Sequence, residues 1–354
     1  MAIPNTAREY RLPKSDVSHW ETLTIQNVPV VSPSASEVLV KVHAVSLQYR
    51  DLLIAKGLYT LGLKEDLVPC SDMAGEVVAI GDAVKGFKIG DRVCANFFLD
   101  LVYGDADEHA KRTALGGAVD GVLIEYRVFP AHDDSPLQSL VHIPEYLTYE
   151  EASTLPCAGL TAYNALMGPV PLKGGDVVLV QGTGGVSMFG LQFAVACGAT
   201  VIATSSSDRK LKVAQKLGAK HVINYKTTPD WDEEVLKLTN GLGADHIIEV
   251  GGPGTLPQSV NCVRYGKWIH DIGFVAGAGD VSCLPHELLK KNAILRGIAV
   301  GSRTQFEDMN RLLIATGLHP VIDKVFTFEQ ALEAYDYLDS QQHVGKVVIK
   351  VSKD

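Results

Sequence analysis

The sequence predicts an α/β chain in two domains, a strand-rich first domain and a doubly wound parallel sheet. Three observations carry this. Residues 22–130 alternate or cluster β-branched residues between turns marked by Gly and Asp, the pattern of short strands. From Asp176 the texture becomes strand, helix, strand, repeated, and parallel strands need such crossover helices. The chain has 354 residues, more than one hydrophobic core usually organises.

In the first region EVLVKVHAV, AGEVVAIG, DRVCANF and VLIEYRVF read as strands, with IGDAVKGFKIGD as a hairpin; no long helical period appears there. In the second region DVVLVQG, TVIATS, HVINY and ADHIIEVGG read as strands, separated by helices over VSMFGLQFAVACG, DRKLKVAQKLG and WDEEVLKLTNG. GKWIHDIGF and AILRGIAVG extend this sheet to the six strands of a doubly wound domain. Helical patterns at FEDMNRLLIATG and FEQALEAYDYLD follow, and the closing strand VGKVVIKV suits a return to the first domain.

The composition, 46% hydrophobic and 21% charged, is that of an ordinary soluble protein. A net charge of -9 argues against a nucleic-acid binder, which needs a basic surface to displace counterions. Cys70, Cys94, Cys157, Cys197, Cys262 and Cys283 form no C-x-x-C pair, so neither a zinc ribbon nor a redox motif is drawn. Scattered thiols suit a reducing compartment. MAIPNTAREYRLPK has no apolar signal core, and no run of about 18 apolar residues occurs. The expectation is a soluble, cytoplasmic protein with no membrane or nucleic-acid partner.

The stretch VLVQGTGGVSMFG places Gly182, Thr183, Gly184, Gly185, Val186 and Ser187 between a strand and a helix. This is the setting of the G-x-G-x-x-G fingerprint that holds a dinucleotide pyrophosphate on a helix N-terminus. Ser187 stands where the third glycine is usual; that slot asks for a small side chain, and serine meets it. An NAD site wants a carboxylate at the end of the next strand. Here TVIATS ends in Ser205, with Ser206 and Ser207 next, and Asp208 falls in the following helix. Serine hydroxyls with Lys210 suit the 2′-phosphate of NADP(H).

Taken together, VSLQYRDLLIAKGLY, AGEVVAIGDAVKGFKIGDRV, TLPCAGLTAYNAL, VLVQGTGGVSMFGLQFA, LGAKHVINY and HVGKVVI resemble the medium-chain dehydrogenase/reductase superfamily, close to its zinc-independent quinone oxidoreductase branch. The resemblance implies a GroES-like β-barrel domain (1–157), a Rossmann domain (158–300) and a C-terminal return to the first domain (301–354). In the superfamily's zinc enzymes the catalytic metal is held by a Cys, a His-Glu pair and a second Cys. The matching slots here hold Gln48, then Ser71 and Asp72, then Cys157, short of the three strong ligands that catalytic zinc needs. No metal site is expected, and the His109, Asp105, Asp107, Glu108 stretch reads as a hydrophilic loop. Without a Lewis acid, reduction of a conjugated carbonyl compound or quinone asks less of the protein than alcohol oxidation. The resemblance thus implies an NADPH-dependent reductase of enone, enoyl or quinone type.

By the same resemblance Tyr59 matches a tyrosine near the substrate of enoyl reductases and is the candidate proton donor, or simply shapes the cleft. Tyr49 and Asp51 sit where the zinc-ligand loop would face the nicotinamide, and Arg50 with Asp51 reads as a structural pair or as cofactor contacts. Thr161 matches a residue that approaches the nicotinamide, and Tyr225 one beside the adenosine phosphate. Val250 and Gly251 end the fourth strand, Gly273 and Phe274 the fifth, where open α/β sheets bind ligands. Lys346 matches a tail position that often reaches the cofactor, although a surface lysine is the commoner fate. Cys157 reads as a packing residue. The family's habit of pairing Rossmann sheets edge to edge implies a homodimer through AILRGIAVG. A metal-free carbonyl or alcohol dehydrogenase, and a non-enzymatic cofactor-binding protein (sensor, structural or RNA-binding), stand as alternatives.

Overall fold

The computed structural model describes residues 3–13, 19–59, 62–131 and 139–352. The chain divides into two compact units, Met1–Leu160 with Val300–Asp354, and Thr161–Ala299.

The inserted unit carries six strands, β1 (Val177–Val180), β2 (Thr200–Ser205), β3 (His221–Asn224), β4 (Ala244–Glu249), β5 (Val263–Asp271) and β6 (Ile294–Gly297). All neighbours run parallel in the order 3-2-1-4-5-6, so the order reverses between β1 and β4. Register aligns Ile202, Leu179, Ile247 and Ile269 in one apolar row across four strands, all buried. The alternate row, Ala203, Val180 and Ile248, faces the helix α1 (Gly185–Ala196). Gly190 lets that helix close in, because a Cβ there would already sit 3.2 Å from Ile248. The helix α2 (Asp208–Lys216) buries only Leu211 and Ala214 and turns its charges outward, as an amphipathic surface helix does. α3 (Trp231–Leu238), α4 (Leu256–Cys262) and α5 (Leu284–Lys291) complete the layers.

The enclosing unit is organised by the strand Glu37–Ser46. Along one edge it pairs antiparallel with Asp72–Ile80; along the other it takes Tyr126–Pro130 over its first half and Lys346–Lys350 over its end. Arg92–Ala95 and Leu140–His142 extend one side, and Ile322–Thr327 joins Lys346–Lys350 in parallel. The core holds Val38, Val40, Val42, Leu47, Met73, Val93, Phe129 and Val347.

Two expectations need adjusting. VLIEYRVF forms a strand only over Tyr126–Pro130, because the amides of Val122 and Leu123 are taken by the carbonyls of Pro69 and Cys70. The helix Tyr49–Ala55 lies in a region that shows no long helical period; it is two turns long and capped by Gln48 with Asp51. Among the described residues no helix is long and apolar enough to cross a membrane.

Candidate active site

In the inserted unit the glycine turn leaves an open cradle. Gly182 has φ +71, a left-handed conformation natural to glycine. Neither it nor Gly184 has any atom within 4 Å of where a Cβ would stand. Gly184 is the extended N-cap of α1 and supplies no side-chain cap, so the first amides of the helix, Gly185 and Val186 among them, remain for a ligand. Thr183 is buried beside them. Ser187 is buried and donates its hydroxyl to the carbonyl of Gln181 at 2.6 Å. The serine thus fastens the helix to the end of β1, the packing task of the third glycine.

The residues expected to select the cofactor gather at the ends of β2 and β3. The backbone amide of Tyr225 donates to the carbonyl of Ser205 at 3.1 Å, so the chain leaves β3 beside the end of β2, and the ring of Tyr225 is exposed. Ser206 precedes α2 and Lys210 lies in its first turns. Asp208 is held at the start of that helix by Asn224 Nδ2 at 2.7 Å, not at the strand end where a ribose-binding carboxylate would stand. Val250 and Gly251 follow β4 directly, and a Cβ on Gly273 would lie 2.7 Å from the Val250 carbonyl. Those two loops therefore touch, and Phe274 beyond them is exposed. Thr161 is buried in the helix Leu160–Met167. These residues and backbone groups fit a bound dinucleotide.

In the enclosing unit, the slots matching a zinc site are filled by a closed polar network. Asp72 is fully buried; its Oδ2 accepts Gln48 Nε2 at 2.6 Å and the Cys157 amide at 2.8 Å, and its Oδ1 accepts Ser71 Oγ at 2.6 Å. Burial pushes this carboxyl up to about 7, against the pull of Lys346 and its hydrogen-bond donors. Burial also raises Asp51, to about 6, although the amide of Gln48 donates to it at 2.8 Å. The Cys157 thiol is pushed up by burial and by Asp72, away from the thiolate that binds metal or attacks. Among the described residues no three His, Cys, Asp or Glu side chains converge to hold a metal. The donor set does not fit zinc: Asp72 has both oxygens engaged, and Gln48 and Ser71 are weak neutral donors. In the loop around His109, Asp107 caps a short helix through the Ala110 amide at 2.8 Å, and Glu108 pairs with Arg112.

Arg50 has two readings, a pair with Asp51 or cofactor contacts, and among the described residues it forms no hydrogen bond or ion pair with Asp51. Its Nη1 donates to the Leu115 carbonyl at 2.8 Å, and its guanidinium lies 4.9 Å from the ring centroids of both Tyr59 and Phe97. A Cβ on Gly117 would fall 1.9 Å from Nη2, so only glycine leaves room for this arrangement. Tyr59 is half-buried against it, whereas Tyr49 opens its helix with an exposed ring.

Lys346 is no surface lysine. It is 4% exposed and its Nζ donates to the Leu47 carbonyl at 2.5 Å, with burial lowering its pKa against the attraction of Asp72. Strand alternation puts position 346 on the face of Val348 and Lys350, opposite the core row Val347, Ile349 and Val351, so no sequence pattern marks this burial. Glu249, buried at the end of β4, is a further polar residue of this region, and no sequence motif marks it.

Residues 34–142 match the model of the alcohol dehydrogenase GroES-like domain, and residues 185–315 that of the zinc-binding dehydrogenase. A zinc-type alcohol dehydrogenase-like protein of Schizosaccharomyces pombe is 51% identical over 320 residues, 89% of this chain and 91% of its own. A chloroplastic quinone-oxidoreductase, QR1, of Triphysaria versicolor is 30% identical over 339 residues, 91% of this chain and 92% of its own. The crystal structure of a putative alcohol dehydrogenase from Sinorhizobium meliloti 1021 superposes with a TM-score of 0.88 at 40% identity, covering 99% of this chain and all of that one. Fold, motifs and relatives agree: this chain belongs to the medium-chain dehydrogenase/reductase superfamily of oxidoreductases, in its quinone-oxidoreductase-like branch.

Proposed function

We propose that the protein is an NADPH-dependent reductase of an activated C=C bond, as in an enone or enoyl compound, or of a quinone, working without a catalytic metal. The observation that carries this reading is the contrast between an open glycine cradle at Gly182 and Gly184 and a ligand set closed on itself around Asp72. The cofactor, when bound, supplies a hydride. The amides at the start of α1 hold its pyrophosphate, and Ser205, Ser206, Lys210 and Tyr225 hold the 2′-phosphate. Tyr59 donates the proton that the reduced substrate takes up, since a phenolic hydroxyl can donate to a developing oxyanion. Arg50 over its ring holds the phenol in one orientation. The half-exposed edge strand β6, paired only with β5, supplies the dimer contact.

The test follows NADPH absorbance with a panel of enones, enoyl thioesters and quinones, with product analysis. Consumption with loss of C=C, or quinone reduction, is expected. Bound NADPH without turnover on any of them overturns the reading, and reduction of C=O with C=C intact converts it to a carbonyl reductase.

A further inference from the structure

We infer that Glu249 is a positioning residue for the dinucleotide, a single buried carboxylate that fixes the turn after β1 relative to the loop after β4. The inference rests on the cofactor reading above and names a part of that site which the fingerprint does not include.

Glu249 is fully buried. Its Oε1 accepts the amides of Gly251 at 2.8 Å and Gly252 at 3.0 Å and the Thr255 hydroxyl at 2.5 Å. Its Oε2 accepts Gln181 Nε2 at 2.7 Å and the Ser259 hydroxyl. Gln181 Oε1 in turn accepts the Val250 amide at 3.3 Å, and the Gln181 carbonyl accepts Ser187 Oγ at 2.6 Å. A chain of hydrogen bonds therefore runs from the first turn of α1, through the last residue before Gly182, to the segment 250–255.

The chemistry of this arrangement is specific. A carboxylate taken out of water is costly unless its oxygens are satisfied, and here five neutral donors satisfy them. A packing role needs no charge. What a carboxylate adds is acceptance on both oxygens at once, with charge-assisted strength, and the two oxygens divide their partners by loop. Oε1 serves the segment after β4 and Oε2 serves the residue before the glycine turn, with Ser259 of α4 beside it. These are the two loops flanking the reversal of strand order, where an open α/β sheet binds its ligand. Gly252, at φ +73, is held in that conformation by its bond to Glu249. The carboxylate thus sets the spacing of two ligand-facing loops whose own side chains are too small to set it.

The experiment titrates the whole protein with NADPH and with NADH, following nicotinamide fluorescence, at a temperature where thermal unfolding shows every variant folded. In Glu249→Gln the new amide donor faces the Gln181 donor. The dissociation constants for both nucleotides are expected to rise at least tenfold, and the KM for NADPH to rise with kcat at saturating cofactor changed less than threefold. In the double variant Gln181→Glu with Glu249→Gln every donor again meets an acceptor, and binding is expected to return to within threefold of the parent. Thr255→Val, a milder loss on Oε1, is expected to weaken both nucleotides about threefold and serves if Glu249→Gln does not fold. Folded single variants with unchanged dissociation constants, and only a lower Tm, overturn the inference. A parent protein that binds neither nucleotide overturns the cofactor reading and this inference with it.

Discussion

Gln48 donates its side-chain amide to Asp72 at 2.6 Å, and the oxygen it reaches also accepts the backbone amide of Cys157. Three positions that matched metal-ligand slots are thus bonded to one another. Added zinc and strong chelators are therefore expected to leave both activity and Tm unchanged. Stoichiometric zinc in the purified protein by elemental analysis would contradict this.

The same network makes stability depend on pH. Asp51 and Asp72 are raised by burial from 3.8 to about 6 and about 7. Between about pH 4 and pH 7 the folded chain therefore binds more protons at these sites than the unfolded chain, and their contribution falls as pH rises. For Asp72 alone the shift corresponds to on the order of 4 kcal/mol. Asp72→Asn, with its amide turned to the Ser71 hydroxyl, removes that share. Its Tm relative to the parent is expected to rise from pH 5 to pH 8; a constant difference would refute the assignment.

Gly182 and Gly184 separate folding from binding. Gly184 has φ −75 and open space at its Cβ position, so Gly184→Ala is expected to unfold within about 0.5 kcal/mol of the parent. NADPH binding should nonetheless weaken at least tenfold, because the new methyl occupies the cradle. Gly182→Ala, at φ +71, is expected to cost about 1–2 kcal/mol of stability as well. Thermal unfolding beside fluorescence titration reads both.

Cofactor choice is expected to follow the strand end. Ser206→Asp puts a carboxylate where a 2′-phosphate would sit and should invert the preference toward NADH. Lys210→Ala should weaken NADPH about tenfold, the worth of a modest charge-assisted contact, while leaving NADH nearly unchanged. Parallel titrations decide the matter, and equal effects on both nucleotides would remove Lys210 from the phosphate site.

Tyr59→Phe is expected to lower kcat by about 100-fold, the lower end of general acid catalysis, with the KM for NADPH unchanged. A loss below threefold would leave Tyr59 as a wall of the cleft.

What the sequence made legible was the part written in local pattern. The βα alternation marked every strand of the inserted sheet, and the glycine turn marked the junction of strand and helix that Ser187 fastens. What it hid depends on contacts distant in sequence. Lys346 looks like any tail lysine until its strand is paired with Glu37–Ser46, and Arg50 finds its acceptor at Leu115 rather than in the neighbouring Asp51. Glu249 follows two isoleucines and announces nothing, since its donors come from four separate positions after it and from Gln181. The helix Leu284–Lys291 is only eight residues long, with no residue fully buried, and so short a segment gives little periodicity to read.

The Lys346–Lys350 strand also sets an order of events during synthesis. The inserted sheet is complete once Gly297 has left the ribosome, whereas the sheet begun at Glu37 lacks two of its strands until Lys350 has followed. At about 5–20 residues per second that interval lasts roughly 3–11 s. Throughout it, the end of the Glu37–Ser46 strand presents unpaired backbone at Ala44, Val45 and Ser46, a bare edge of the kind that recruits other chains. The domain that begins first is finished last, and a nascent chain stalled within that window keeps this edge uncovered.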